Sequence, residues 1–261
     1  MSAPGGSASL SAVAVIPARH ASQRLPGKPL LTAAGRTLIE HVYRRVAAAA
    51  RIGRVIVATD DTRIVDVVTA FGGEARMTSP DHRTGSDRVG ELLPGLTEDL
   101  VINVQGDEPE IASDVLDRLV EALEQDRSLN VATAACPMPE SVAFTDPHAV
   151  KVVVGRTGRA LYFSRAPIPG SKTGTGGITN ADWPLLHVGV YAFRRAALAR
   201  FLVLPEGDLE RIESLEQLRL IENDVTVGVV RCERAPAGID TPEDFAAFVT
   251  RVETLGPDVR W

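Results

Sequence analysis

The chain has 261 residues, 44% of them hydrophobic and 24% charged, with a formal net charge of −6. A chain this long buries roughly 70–75% of its unfolded surface and folds without disulfide or metal staples, and its acidic balance offers no footprint for nucleic acid or a membrane surface. No apolar run reaches the roughly 18 residues of a membrane span, the start lacks the regions of a signal peptide, and Cys136 and Cys232 match no metal spacing, so they read as reduced thiols of a cytoplasmic protein.

Residues 1–10 read as a short disordered tail. Ser11–Ile16 is a run rich in β-branched residues, a buried first strand. A loop dense in Pro, Gly and Arg covers 17–35, and the spacing of Leu38, Ile39, Val42, Tyr43 and Val46 predicts a helix over Thr37–Ala50. Arg54–Thr59 is a second strand, and Asp61–Phe71 is a helix capped by Asp60 or Asp61. Gly72-Gly73 ends that helix before a short strand, Glu74–Met77. Further strands fall at Leu100–Val104 and Asn130–Ala134, with a helix over Ala112–Gln125 between them. Strands and helices alternating through short links imply a mostly parallel (mixed) sheet in a three-layer α/β sandwich.

The pattern changes after residue 140. Val150–Val154 and Arg159–Ser164 form a β-hairpin around 155–158, followed by a Gly/Ser/Thr-rich loop over Pro167–Pro184. A strand at Leu186–Phe193, one helix over Leu209–Glu222, a strand at Val225–Arg231 and a closing helix over Thr241–Leu255 complete the chain. Residues 11–261 read as one domain with a hairpin-and-helix lobe inserted over about 140–220.

Four stretches carry chemistry. After the first strand, where open α/β sheets bind ligands, the loop Ile16–Pro29 gathers Arg19, Arg24 and Lys28. Arginine forks and a lysine point charge suit a triphosphate, and the loop is neither a Walker A motif nor G-x-G-x-x-G. Asp81–Arg88 opens a probable helix at Ser86, with Gly85 allowing close backbone approach, which fits an anion, a ring acceptor or a plain cap. Asn103–Pro109 ends a buried strand in Asp107-Glu108, which fits a hard cation, a base or an acidic turn. In Gly238–Asp244, Asp240 fits either a helix cap or a second metal carboxylate.

Together these stretches resemble the CMP-Kdo synthetases, the 3-deoxy-manno-octulosonate cytidylyltransferases, from about Val13 to Phe245. The markers are Pro17-Ala-Arg-x-x-Ser-x-Arg-Leu-Pro-Gly-Lys-Pro29, His82–Arg88, Asn103–Pro109, Tyr162–Arg165, His187–Tyr191, Glu213–Arg219 and Gly238–Asp244. The resemblance implies the nucleotide-diphospho-sugar transferase fold and a homodimer joined through the inserted lobe. It also implies CMP transfer from CTP to a small acidic acceptor, with pyrophosphate released. Pro17, Ala18, Arg19, Ser22, Arg24, Lys28, Arg88, Gln105 and Gly106 would then bind the nucleotide, and Asp107 and Asp240 would hold Mg²⁺. Arg19, Lys28, Asp107 and Asp240 would serve the chemical step, and Arg165, His187, Tyr191, Glu216 and Gln217 would line the acceptor pocket.

The acceptor half departs from the family. Leu186 stands where a basic residue is common, and Ile168-Pro169-Gly170-Ser171-Lys172 replaces Ile-Pro-Trp followed by Arg and Asp. The expected acceptor is 3-deoxy-manno-octulosonate (Kdo), with a small phosphonate such as phosphonoformate as the alternative. A catalytically dead nucleotide-binding regulator is disfavoured by the joint presence of Lys28, Asp107 and Asp240. A sugar-1-phosphate nucleotidylyltransferase is disfavoured by the Pro/Arg-rich, not Gly-rich, first loop.

Overall fold

Seven consecutive residues without a polar side chain, Ala12–Ala18, form β1, and all seven are buried. A strand buried on both faces needs helices above and below it. β1 accordingly alternates between two cores: Ala12, Ala14, Ile16 and Ala18 face one, and Val13 and Val15 face the other. The computed structural model describes residues 9–21, 24–170, 172 and 184–256. Most of the predicted tail, Ser22 and nearly all of the loop after Gly170 lie outside the described residues.

After β1 come a small ribbon, β2 (Thr32–Ala33) and β3 (Arg36–Thr37), and helix α1 (Leu38–Ala47). There follow β4 (Arg54–Thr59), α2 (Thr62–Ala70), β5 (Glu74–Met77), α3 (Gly85–Leu92), β6 (Leu100–Asn103), α4 (Ser113–Gln125) and β7 (Val131–Pro137). The hairpin β8 (Lys151–Val154) and β9 (Ala160–Ser164) leads to the long strand β10 (Leu185–Arg194). Then come α5 (Arg195–Val203), α6 (Asp208–Glu213), α7 (Leu218–Glu222), β11 (Val227–Arg231) and α8 (Pro242–Leu255).

The main path of the sheet is β11-β7-β10-β6-β1-β4-β5. β1 is parallel to β4 and β6, β4 to β5, and β7 to β11. β10 runs antiparallel between β6 and β7, and the hairpin joins the sheet through β8 and β10. One face is covered by α1, α2 and α4 through Ile39, Ile64 and Leu119. The other is covered by α3, α5 and α7 through Val89, Phe201 and Leu218. This is the mixed, mostly parallel sheet with helices on both faces that the sequence predicts. α8 closes a smaller cluster with Leu25, Leu38 and Ile239.

The helix expected over Leu209–Glu222 is in fact two. Ser214 interrupts it at φ 52°, a left-handed turn that separates α6 from α7 and lets Leu215 and Gln217 bury themselves between them. Helix α5 is an addition to the sequence reading: no Gly or Pro separates it from β10. Two ambiguous caps resolve. Asp61 caps α2, accepting from the Arg63 N–H at 2.9 Å, which leaves Asp60 for other work. Thr241 caps α8, accepting from the Asp244 N–H at 3.2 Å while the Asp244 carboxylate accepts from the Thr241 N–H at 2.9 Å. The Asp240 carboxylate is therefore not a cap.

Candidate active site

The loops that follow β1 and β6 meet so closely that only glycine fits between them. A Cβ on Gly106 would lie 2.8 Å from Pro17 O, inside the contact distance of any real side chain. A third loop, before α8, is stitched to the second by the Ile239 N–H, which donates to Asp107 O at 3.0 Å. Three distant segments thus converge at the carboxyl end of β1.

Lys28 stands at their meeting point. Its ammonium donates to Asp107 Oδ2 at 2.8 Å, to Ile239 O at 2.7 Å and to Asp240 Oδ1 at 3.2 Å. An ammonium has three donors, and these bonds use them all. Arg24 supplies a second cation, Nη2 lying 3.1 Å from Asp240 Oδ2. Two carboxylates are matched here by two cations, and both carboxylates reach toward one point.

A cavity of about 570 Å³ opens over this cluster, lined by Pro17, Ala18, Arg19, Arg24, Lys28, Arg88, Gln105, Gly106, Asp107 and Asp240. Every predicted nucleotide residue among the described ones is on its wall. Gly85, at the start of α3, lies close to Pro17 and Gln105. Arg88, in the same helix, is almost wholly buried. Its Nη1 donates to Thr78 Oγ1 at 2.5 Å and its Nη2 to Asp60 Oδ2 at 2.8 Å.

A second cavity, of about 560 Å³, is lined by Arg165, His187, Tyr191, Glu216 and Gln217, together with Asn103 and Gly189. All five predicted acceptor residues are there. The two cavities share Gly85, Gln105, Glu216 and Asp240, so they are neighbouring chambers with a common wall.

The second chamber is held by polar groups in apolar surroundings. His187 Nε2 lies 3.0 Å from Thr133 Oγ1 and 3.1 Å from Tyr191 Oη. Burial pushes the His187 imidazole down to about 3, so the ring is neutral in ordinary buffers. Burial likewise raises the Tyr191 phenol, with the nearby Glu216 carboxylate adding to it. Glu216 is itself raised, chiefly by burial. Arg165 directs Nε to Glu213 O at 2.7 Å, Nη1 to Pro147 O at 2.9 Å and Nη2 to Ser214 O at 3.2 Å. Its side chain is thereby fixed by three backbone carbonyls.

Several neighbours were not foreseen from sequence. Thr133 holds His187, and Asp60 and Thr78 hold Arg88. Asn103 Oδ1 and Glu108 Oε2 are buried without a hydrogen-bond partner among the described residues, and burial beside Asp107 pushes the Glu108 carboxyl up to about 8. Asp60 and Thr78 lie just past β4 and β5 and Thr133 lies within β7, places that do not tell a site residue from a turn or a core position. No group of three or more metal-ligating side chains converges among the described residues, and no helix among them is long and apolar enough to cross a membrane.

A family model for cytidylyltransferases matches residues 13–227. The chain belongs to the cytidylyltransferase family. Among curated relatives, the 3-deoxy-manno-octulosonate cytidylyltransferase of Syntrophotalea carbinolica is 47% identical over 94% of this chain and 100% of its own length. The enzyme of the same name from Syntrophobacter fumaroxidans is 46% identical over 91% of this chain and 95% of its own. The solved structure of a CMP:2-keto-3-deoxy-manno-octonic acid synthetase in complex with CTP superposes with a TM-score of 0.88 at 41% identity, covering 94% of this chain and 99% of that one. The cytidylyltransferase match spans β1 to the start of β11, while Asp240 lies beyond it and enters the site through its ion pairs with Lys28 and Arg24.

Proposed function

We propose that the chain transfers CMP from CTP to 3-deoxy-manno-octulosonate and releases pyrophosphate. The observation that carries this reading is the pair of chambers sharing Gln105, Glu216 and Asp240. One presents cations and carboxylates, and the other presents Arg165, the Glu216 carboxyl and the polar His187 and Tyr191.

In the first chamber Arg19, Arg24 and Lys28 would grip the triphosphate, the arginines as forks and the lysine as a point charge; Ser22 is assigned to the same task by the resemblance alone. Arg88 and Gln105 would meet the cytosine. In the second, Arg165 would hold the acceptor carboxylate, while His187, Tyr191, Glu216 and Gln217 would bond its hydroxyls. The acceptor oxygen then attacks the α-phosphorus in line from across the shared wall. Such transfer needs positioning and charge neutralisation more than covalent help.

Asp107 and Asp240 fit a magnesium ion. Both reach the same ammonium, at 2.8 and 3.2 Å, so one small cation can be shared between them, and Mg²⁺ takes one or two carboxylates with phosphate oxygens and waters completing its shell. When bound it would supply charge neutralisation on the phosphates. The lobe over 140–220 exposes Leu161 and Ile212, apolar surface suited to the homodimer the family resemblance implies. A cytoplasmic setting fits the CTP requirement.

The 46–47% identity to enzymes named for the sugar acid favours that acceptor over phosphonoformate. The departure at Leu186 also loses force, since this side chain packs against the core. The deciding experiment is pyrophosphate release from CTP with Mg²⁺, run across 3-deoxy-manno-octulosonate, related acidic sugars and phosphonoformate. Turnover with the sugar acid is expected. Turnover with phosphonoformate alone would replace the acceptor, and no release with any acid would overturn the transferase reading.

A further inference from the structure

Asp60 and Asp61 follow β4 side by side, and they divide two tasks. Asp61 caps α2. Asp60 turns the other way, and its Oδ2 accepts from Arg88 Nη2 at 2.8 Å. Thr78, just past the neighbouring strand β5, accepts from Arg88 Nη1 at 2.5 Å. The ion pair is secluded, with side-chain exposures of 4% for Arg88 and 16% for Asp60.

A guanidinium carries five N–H donors in a rigid plane. Asp60 and Thr78 engage two, and the others meet no described protein group, although Arg88 lines the wall of the first cavity beside Gly85 and Gln105. Burying an arginine is costly unless a counter-ion stays with it. Asp60 is that counter-ion, and it is not itself on the cavity wall. Without it the long side chain has another carboxylate within electrostatic reach, Glu91 on the same helix, and no reason to keep its donors on the cavity.

Fixed donors select among bases. Cytosine presents two adjacent acceptors, O2 and N3, to which a guanidinium fork can donate twice. Uracil presents an N–H at the second position, so donor would face donor. A site built to make such bonds rejects a partner that cannot return them more strongly than an apolar pocket does.

We propose that Asp60 is a specificity-determining positioning residue, which with Thr78 holds Arg88 so that its unspent donors read the acceptor edge of cytosine. The inference rests on the CTP reading above and extends it to two residues outside the cavity wall. The test compares the wild type with Asp60→Ala, Asp60→Asn and Thr78→Val, all checked for folding by circular dichroism. Equilibrium binding of CTP and of UTP is measured first, then kcat and KM for each nucleotide by pyrophosphate release. For Asp60→Ala the CTP-over-UTP preference is expected to fall about tenfold or more. KM for CTP should rise while kcat at saturating CTP changes less than about threefold. Asp60→Asn, which keeps an oxygen for Nη2, should retain part of the preference, and Thr78→Val should lose part. If Asp60→Ala does not fold, the other two variants decide.

A preference unchanged in the folded variants, or a parallel loss for both nucleotides, would overturn the proposal. Wild-type protein that prefers CTP in binding yet releases no pyrophosphate with any acid would sink the transferase reading and leave the binding ratios to judge Asp60. Wild-type protein with no preference between the nucleotides would overturn both.

Discussion

Lys28 and Asp107 stand 79 positions apart in the chain and meet through a single hydrogen bond of 2.8 Å. The same ammonium also reaches Asp240, 212 positions away. Replacing Lys28 by Met keeps an unbranched stem of similar bulk and removes all three of its bonds. The two carboxylates would then face each other with Arg24 as their nearest cation. Pyrophosphate release should drop about 100-fold or more, as when one preorganised charge contact to a transition state is deleted. Lys28→Arg should not restore it, because a planar fork cannot occupy the point where three acceptors converge. Steady-state assays on both variants check this, and a Lys28→Met rate within tenfold of wild type would count against it.

Gly106→Ala tests the close approach of two loops. The new methyl would sit 2.8 Å from a backbone oxygen, that of Pro17, and backbone cannot swing aside like a long side chain. One loop must shift, at a cost of about 1–3 kcal/mol. The shift moves Gln105 or Ala18, both on the nucleotide cavity, so KM for CTP should rise more steeply than KM for the acceptor. Paired KM values together with a urea titration read out the two effects.

The His187 ring makes a prediction about acid. Burial holds its imidazole down to about 3, against about 6.5 in an unfolded chain. Above the higher value the ring is neutral in both states and contributes no pH dependence. Below it the unfolded chain takes up a proton that the folded chain refuses, so stability falls progressively as pH drops from about 6.5 toward 3. One side of the ring meets the second cavity, and solvent there softens the effect. His187→Gln should therefore lose about 1 kcal/mol less stability than wild type between pH 7 and pH 5. Denaturant midpoints at the two pH values measure it; identical slopes would contradict it.

Glu210 and Arg219 brace the two short helices that carry the acceptor residues. Arg219 Nε and Nη2 donate to the two oxygens of Glu210, at 2.6 and 2.5 Å, and both side chains are largely buried. Arg219 also lies over the Phe201 ring, 4.8 Å from its centroid. Removing one partner of such a pair leaves a stranded charge, and Glu210→Ala should cost about 3 kcal/mol. Since Glu216 and Gln217 lie between the braced helices and only Glu216 also lines the nucleotide cavity, KM for the acceptor should rise more than KM for CTP. A calorimetric melt and the two KM values check the split.

Where the chain punctuates itself, its fold can be read in advance. β1 and β4 are runs rich in apolar and β-branched residues, β5 follows the helix-ending Gly72-Gly73, and α4 carries Leu116, Leu119 and Leu123 at helical spacing; each lies within a residue or two of expectation. α5 follows β10 with no punctuation, and Ser214 takes a left-handed turn usually left to glycine, so neither was legible. The insertion of β10 between β6 and β7 depends on pairings across most of the chain, which no local window holds. The site shows the same divide. Arg19, Lys28, Asp107 and the His187–Tyr191 strand stood out through their motifs. Asp60 did not, because a double aspartate before a helix looks like a cap whichever of the two performs that role.

The one antiparallel strand of the main path gives the molecule a ruler. β10 is bonded to β6 on one edge and to β7 on the other, and its Tyr191 stands opposite Asn103, two residues before Gln105. On the β7 edge the register shifts between Val188 and Tyr191, whereas on the β6 edge it is regular from Tyr191 to Arg194, and a slip of one residue there would turn those side chains to the opposite face. A longer or shorter acid is then accommodated by exchanging side chains along β10, whereas an exchange on the shared wall, as at Glu216, reaches the nucleotide chamber as well.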